Sequence, residues 1–229
     1  MIKKNLLIIL CFCSIAITFS QEKEKDIKKE RKNAIGISAG LPGFGFEYAR
    51  LISHHFTIRL RYNSLNVKDY EIQDFELDGQ NTDIILNAKN KSYDLLIEYL
   101  PFKSSSFKLL FGAGYFKDLL ISGNMTFDTE QKIGDITLTK DDFGDLNIEA
   151  DWSENFAPYL GIGFGRAIPK KRLGIALEIG GYFIGEPNVI LKATRLLTPT
   201  EEENKETIQE GFKKLNIIPH IKLKLAYSF

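Results

Sequence analysis

Cysteine is almost absent from this chain of 229 residues, and its two cysteines, Cys11 and Cys13, both lie near the amino terminus. The 30 Lys and Arg residues balance the 30 Asp and Glu residues, so the chain lacks the excess positive charge that nucleic-acid binding requires. No apolar run reaches the roughly 20 residues of a membrane-spanning helix. These absences argue against a disulfide-rich fold, a nucleic-acid-binding protein and a helical membrane protein.

The first twenty residues have the pattern of a secretory signal peptide. Lys3 and Lys4 precede an apolar stretch from Leu6 to Phe19, and Ser20 is a small residue of the kind that signal peptidase reads. The stretch has 14 residues, too few to cross a bilayer comfortably. We therefore expect residues 1–20 to be cleaved on export, which leaves a chain without cysteine and with 28 bases against 30 acids, a net charge of −2.

A short charged segment and a long segment of alternating polarity follow. Residues 21–33 are dense in charges of both signs, which predicts a charged periplasmic tail, either solvated coil or a short frayed helix. Across residues 34–229 the dominant period is two, which is typical of β-strands. The last stretch, Ile217 to Phe229, shows it best, because apolar side chains fill one face and mostly polar ones the other. The same pattern recurs upstream and predicts eight strands.

The links between these strands alternate in length. Three short links alternate with three links of more than about 18 residues, which start near Ser64, Ser122 and Glu186. Short turns at one rim and long loops at the other are typical of outer-membrane barrels. The sequence therefore predicts an all-β, eight-stranded, antiparallel, up-and-down transmembrane β-barrel with short periplasmic turns and long extracellular loops. A capping pattern after Pro199 predicts one short helix, from Glu201 to Lys214, in the last loop.

The two faces of the predicted strands differ in charge. The apolar sets contain no charged residue, and an Arg or Lys near the lipid midplane costs roughly 2–4 kcal/mol. The charged face should therefore point into a narrow lumen, where five acids and five bases balance. The predicted luminal network, in a structural role, consists of Glu47, Arg59, Arg61, Asp94, Glu98, Lys108, Asp118, Glu178, His220, Lys222 and Lys224.

The end of the chain carries a more specific pattern. Leu223, Leu225, Tyr227 and the final Phe229 share one face. This stretch resembles the carboxyl-terminal assembly signal of Gram-negative outer-membrane barrels, and residues 34–229 resemble the porin-like small outer-membrane β-barrel proteins. The resemblance implies the outer-membrane lipid bilayer as the environment and the barrel assembly machinery as a partner. It implies no activity.

No residue pattern predicts catalysis or a cofactor. The adjacent His54 and His55 lie in a predicted turn, where neighbouring side chains point apart, and His220 is expected inside the barrel. The acidic residues between Asp141 and Asp151 do not match an EF-hand, and the glycines lack the context of a phosphate-binding loop. We expect no catalytic residue, no metal, no cofactor and no nucleic-acid partner.

Three functional hypotheses remain open at this stage. The first is a monomeric barrel with a side-chain-filled lumen and a structural or surface-interaction role through its extracellular loops. The second is a narrow porin-like channel for small solutes, suggested by glycines on the luminal wall. The third is a soluble periplasmic barrel that binds an apolar ligand, because period two also fits strands whose apolar face packs inward.

Overall fold

A computed structural model of the protein describes residues 31–41, 43–77, 80–102, 104–127, 131–133, 136–138, 144–153, 155–195, 211 and 216–229. Across these ranges no helix is both long and apolar enough to cross a membrane. The predicted signal peptide and most of the charged tail lie outside the described residues. The predicted helix from Glu201 to Lys214 also lies outside them, apart from Gly211.

The described part of the chain contains twelve strands. They are β1 (Asn33–Gly40), β2 (Gly43–Leu51), β3 (Phe56–Leu77), β4 (Gln80–Tyr99), β5 (Phe107–Phe127), β6 (Gln131–Ile133), β7 (Ile136–Leu138), β8 (Asp145–Asp151), β9 (Asn155–Phe164), β10 (Leu173–Phe183), β11 (Asn188–Ala193) and β12 (Ile217–Ser228).

Eight of these described strands close into a ring of antiparallel hydrogen-bonded neighbours. The order around the ring is β1, β2, β3, β4, β5, β9, β10 and β12, and β12 returns to pair with β1. Backbone hydrogen bonds between Asn33 and Phe229 complete the closure, at 2.9 and 3.3 Å. This ring confirms the predicted eight-stranded, antiparallel, up-and-down barrel. We call the end of the ring at which β1 begins and β12 ends the terminal rim, and the opposite end the extended rim.

Side chains alternate across the wall of the ring as the pattern of polarity predicts. On β12 every second residue from Ile217 onward is apolar or proline, and Leu223 is 58% exposed on the outside. Its chain neighbours, Lys222 and Lys224, are 1% and 2% exposed and point inside. The shorter ring strands have 8 to 12 residues, close to the roughly 9–11 that a tilted strand needs to cross the hydrocarbon.

Two of the three predicted long loops are largely strands. β3, β4 and β5 have 22, 20 and 21 residues, so they continue well beyond the ring. The first half of β5 pairs with β9, whereas its second half pairs with β8, and β8 pairs with β11. A five-stranded sheet therefore projects at the extended rim. Register shifts between Val67 and Tyr70, and between Ile72 and Phe75, interrupt the two-residue period and hide these strands in the sequence.

The link between β9 and β10 is more than a turn. Its residues 165–172 fold against the terminal mouth of the ring, where Ala167 is 1% exposed and packs with Ala34 and Ala49. The hydroxyl of Ser228 donates hydrogen bonds to the carbonyl oxygens of Pro169 and Lys171, at 3.3 and 3.0 Å. The sequence predicted only a short turn here, because a segment without alternating polarity gives no sign that it folds back.

Candidate functional site

A buried ionic network fills the interior of the ring. The structure places ten of the eleven residues predicted for the lumen there, and none of the ten is more than 3% exposed. They come from six strands, so they join distant parts of the chain. The ten are Glu47 on β2, Arg59 and Arg61 on β3, Asp94 and Glu98 on β4, Lys108 on β5, Glu178 on β10, and His220, Lys222 and Lys224 on β12.

Glu178 lies at the centre of this network. Its carboxylate accepts hydrogen bonds from Lys108 Nζ at 2.7 Å and from Arg59 Nη2 at 2.8 Å. Arg61 Nη1 donates to it at 3.2 Å, and Lys224 Nζ lies 3.6 Å away. One carboxylate therefore partners four buried cations, which is the compensation that a charge away from water requires.

Two further carboxylates complete the pairing around Arg59. Its guanidinium donates to Glu98 Oε2 at 3.1 Å and also to Glu47. Lys108 Nζ donates to the same Glu98 oxygen at 3.2 Å, and Lys224 Nζ donates to Glu47 Oε1 at 2.9 Å. Because each of these cations has two carboxylate partners or more, the network links β2, β3, β4, β5, β10 and β12 across the lumen.

A second group of contacts surrounds Arg61. Its Nε donates to Asp94 Oδ2 at 2.7 Å, and its Nη2 donates to the hydroxyl of Tyr182 at 2.9 Å. The hydroxyl of Tyr182 donates in turn to the same Asp94 oxygen, at 2.8 Å. The guanidinium also lies 5.5 Å from the centre of the Tyr159 ring, within the range of a cation–π interaction.

Lys222 is the buried cation whose amine contacts an amide in place of a carboxylate. Its Nζ donates to the side-chain oxygen of Asn63. The Nδ2 of Asn63 donates in turn to Ser92 Oγ and to Asp94 Oδ2, both at 2.9 Å. Among the described residues, the buried ionisable Asp, Glu, Lys and Arg side chains are four acids and five bases, so the bases outnumber the acids by one.

The prediction that Asp118 belongs to the luminal network is wrong, and this changes the predicted balance of five acids and five bases. Its side chain lies outside the lumen, 26% exposed, and forms an ion pair with Lys89 Nζ at 3.1 Å. The cause is a register shift in which Lys91 pairs with Asp118 but Ser92 pairs with Phe116. The extra residue between them, Lys117, reverses the alternation, so strict two-residue counting assigns Asp118 to the wrong face.

We expect replacement of Asp118 by asparagine to change the free energy of unfolding by no more than about 1 kcal/mol. The reason is that Lys89 is 50% exposed, and solvent weakens ion pairs of this kind. Denaturant titration of the protein folded in lipid vesicles measures the change. A loss of about 3 kcal/mol or more would show that Asp118 belongs to the buried network after all.

His220 packs among aromatic rings at one end of the network. Its Nδ1 lies 2.6 Å from the hydroxyl of Tyr159, and its ring lies 5.2 Å from the Tyr159 ring and 5.8 Å from that of Tyr182. Phe116 meets Tyr182 edge to face at 5.0 Å. His220 therefore packs against two tyrosine rings inside the barrel and has the Tyr159 hydroxyl as a hydrogen-bond partner.

An apolar cluster fills the interior toward the extended rim. Trp152 is 2% exposed, lies in the break between β8 and β9, and donates its indole N–H to the carbonyl oxygen of Gly185 at 3.3 Å. Leu119 and Ile184, which are 6% and 7% exposed, belong to the same cluster as Phe116. This cluster was not predicted from the sequence, in which its one distinctive sign is that Trp152 is the single tryptophan of the chain.

The terminal side of the network is also covered. The backbone N–H of Ala167, in the link between β9 and β10, donates to Glu98 Oε1 at 2.9 Å. Because Ala167 also packs on Ala34 and Ala49, this link joins the network to the base of the wall. The interior of the ring is therefore occupied by the link, by the ionic network and by the apolar cluster in turn.

The remaining predicted residues lie at the surface. His55 is in the turn between β2 and β3, where its Nδ1 lies 2.6 Å from the carbonyl oxygen of Leu100, and the exposed His54 precedes it. The residues predicted as a carboxyl-terminal assembly signal form an outward row with exposures between 41% and 58%. That row consists of Leu223, Leu225, Tyr227 and Phe229.

Comparison with solved structures agrees with this architecture. CarO2 from Acinetobacter baumannii aligns with a TM-score of 0.66 and 20% identity, over 87% of this chain and 98% of that chain. CarO from the same organism aligns with a TM-score of 0.64 and 20% identity, over 89% and 100%. A major outer membrane protein from Thermus thermophilus has 16% identity over 86% and 99%, but its TM-score of 0.46 carries no argument.

The fold is that of an outer-membrane β-barrel. At 20% identity the likeness to CarO2 and CarO shows the fold alone. In comparisons with protein-family models and with curated proteins, nothing matches this sequence.

Glycines on the inner wall make room for the network, and Gly163 provides a test. A Cβ added to Gly163 would lie 2.5 Å from the carbonyl oxygen of Leu177 and 2.8 Å from Lys108 Cε. We expect Gly163→Ala to lower the free energy of unfolding by about 1–3 kcal/mol, because the strand pairing or the lysine must shift. Gly123→Ala is the control, since its Cβ would meet only Leu86 at 3.4 Å. Equal stability of the two variants would contradict this role.

Proposed function

We propose that this protein is an outer-membrane β-barrel whose filled lumen has a structural role and whose extended rim provides the surface for interactions. The observation that carries the proposal is the network centred on Glu178, in which buried cations and carboxylates from opposite walls bind one another across the lumen. Because this network fills the lumen, the projecting sheet is the surface that we expect partners to contact.

The projecting sheet supports an interaction role by its size and its composition. It combines the outer halves of β3, β4 and β5 with β8 and β11, and it exposes Tyr70, Ile121 and Ile190 to 60%, 45% and 40%. Exposed aromatic and apolar side chains on a rigid sheet are common in protein interfaces. Its ladder hydrogen bonds hold these side chains in fixed positions, which lowers the entropic cost of binding.

The same proposal includes the export of the chain, its insertion into the membrane and its final location. The chain is exported through a cleaved signal peptide, inserted by the barrel assembly machinery through its last strand, and kept as a monomer in the outer membrane of a Gram-negative cell. Its terminal rim faces the periplasm. The protein is not an enzyme in this proposal, because the polar side chains that the ring brings together bind one another.

Planar-bilayer recording tests the filled lumen directly. We expect the purified, folded protein to produce no stable single-channel current steps, because the ionic network and the apolar cluster occupy the interior. Heat-modifiable mobility on a gel confirms that the sample is folded. Large, reproducible current steps from folded protein would contradict the structural role.

The narrow channel is the second candidate, suggested by glycines on the inner wall such as Gly161 and Gly163, although the Tyr159 hydroxyl and Lys108 Cε occupy the space next to them. If solutes pass the network, Glu178→Gln should change the conductance, since Glu178 contacts four cations there. Conductance that is present and sensitive to this substitution would favour the channel. Conductance that is insensitive to it in a folded variant would place the pathway elsewhere.

A further inference from the structure

A group of basic residues surrounds one side of the terminal rim. Five of its six members are exposed, and Arg31, which is half-buried, donates to the carbonyl oxygen of Lys170 at 3.5 Å. They lie at the ends of β1, β2 and β10, which together with β12 are consecutive in the ring. We call this group the basic arc: Arg31, Lys32, Arg50, Lys170, Lys171 and Arg172.

The basic arc has little opposing charge. In the described residues of the terminal rim, no Asp or Glu side chain is exposed, and Glu98 is buried in the network. Arg172 has a partner of its own, but the other five bases lie on this side of the described rim with no exposed Asp or Glu side chain beside them. They give it a positive potential, which attracts anions over a distance of about 10 Å at moderate ionic strength.

An apolar groove lies on the outer wall beside the arc. It has a volume of about 170 Å³ and runs over the same strands, β1, β2, β10 and β12. Gly36 and Ala226 pair with each other there; Gly36 has no side chain and the methyl group of Ala226 is buried, so backbone forms the floor of the groove. Its sides are formed by Ile35, Ile37, Phe46, Leu173, Leu225 and Tyr227.

The arc and the groove are adjacent along each strand. Arg172 directly precedes Leu173, and Ile35 follows Lys32 by three residues, a distance of about 10 Å along a strand. Arg50 occupies the lipid-facing register of β2, in line with Phe46, so its apolar stem can lie on the wall while its guanidinium reaches the polar interface. A positive surface thus continues without interruption into an apolar groove that faces hydrocarbon.

We propose that the basic arc and the groove together bind an anionic glycerophospholipid of the leaflet at the terminal rim. The phosphate binds the arc, where arginine guanidinium groups can donate paired hydrogen bonds to its oxygens, and an acyl chain lies in the groove. A soluble anion or an acidic protein would use the arc alone and would leave the groove to bulk lipid. This inference rests on the proposed membrane location.

Competition between lipids tests the arc. The full chain, folded and purified, is equilibrated in detergent with equal amounts of phosphatidylglycerol and phosphatidylethanolamine, and retained lipids are counted by native mass spectrometry. We expect at least a fivefold preference for phosphatidylglycerol, and R50Q/K170Q/K171Q should lower phosphatidylglycerol retention about tenfold, because each base near an anionic headgroup contributes measurably. The control K68Q/K117Q/K192Q removes three exposed bases at the extended rim and should retain the preference.

Filling the groove tests its part separately. Ile37→Trp keeps the wall apolar but occupies the groove, so it should lower phosphatidylglycerol retention at least threefold without changing charge. Ile162→Trp on β9 is the matched control: Ile162 is an outward residue that does not line the groove, so this variant should have no effect. Heat-modifiable mobility verifies folding, and raising the salt concentration on the unmodified protein should weaken the preference even if a variant fails to fold.

Distinct outcomes would overturn the proposal. Equal retention of the two lipids, or equal loss in the two charge variants, would show that the arc does not select anionic lipid. Loss with the arc variant but not with Ile37→Trp would show binding by headgroup alone, without the groove. Recovery of the chain without detergent and without any lipid would instead contradict the proposed membrane location, and no lipid result depends on whether the barrel conducts.

Discussion

Replacing Glu178 with alanine is expected to lower the free energy of unfolding by roughly 3–5 kcal/mol. The side chain is fully buried, and its loss removes carboxylate contacts from Arg59, Arg61, Lys108 and Lys224 together. These cations would remain inside the ring with one carboxylate fewer, and a buried charge without compensation is more costly than the pair it came from.

Trp152 provides the measurement. It is the single tryptophan of the chain and is buried, so its fluorescence reports unfolding when the protein in lipid vesicles is titrated with denaturant. Asp118→Asn is the control, because it also removes one acidic charge, but from a side chain that lies outside the lumen. A Glu178→Ala variant whose stability lies within about 1 kcal/mol of the unmodified protein would refute the central place of Glu178 in the network.

The second large effect concerns the outside of the ring. Leu95 is 56% exposed and lies near the middle of the part of β4 that belongs to the ring, opposite Leu60 and Ala113 on the neighbouring strands. We expect Leu95→Arg to lower the free energy of unfolding in lipid vesicles by about 2–4 kcal/mol, because the arginine would stand at the depth of the hydrocarbon.

A rim position supplies the matched control for this substitution. Ile52 is 60% exposed in the turn between β2 and β3 at the terminal rim, and Ile52→Arg should cost no more than about 1 kcal/mol there. Denaturant titration in vesicles gives both values. Were the barrel soluble, with its exposed leucine facing water, the two arginines would have equally small effects, so equal values would contradict the membrane orientation.

The local pattern of the sequence was sufficient to predict the ring. Outward apolar residues recur at every second position of β12 and of the ring part of β3, so each Arg or Lys between them could be assigned to the lumen before its partner was known. Physical cost explains this success, because a charge on the lipid face is expensive enough to leave a clear sequence signature. Which cation meets which carboxylate could not be predicted, since Arg59 and Glu178 are 119 residues apart.

The features that escaped prediction have a common physical origin. One extra residue at Lys117 reverses the faces of β5, and the shifts after Val67 and Ile72 interrupt β3, so counting by two fails beyond each of them. The link that places Ala167 over Glu98 is fixed by packing and by a backbone hydrogen bond, neither of which has a periodic pattern. The pairing of the basic arc with the groove likewise depends on strands far apart in sequence.

Apolar side chains of the ring face lipid, and charged side chains face the lumen. Fluorescence quenching at single cysteines is the direct test of this orientation. Cysteine is placed at Phe46, Leu95 or Ile162 in a chain that lacks residues 1–20 and therefore has no other cysteine, and a bimane label is attached. These positions lie on three different strands and are 54%, 56% and 48% exposed. We expect strong quenching by brominated acyl chains and little by aqueous iodide at all three positions. Strong iodide quenching without any response to brominated lipid would contradict this orientation.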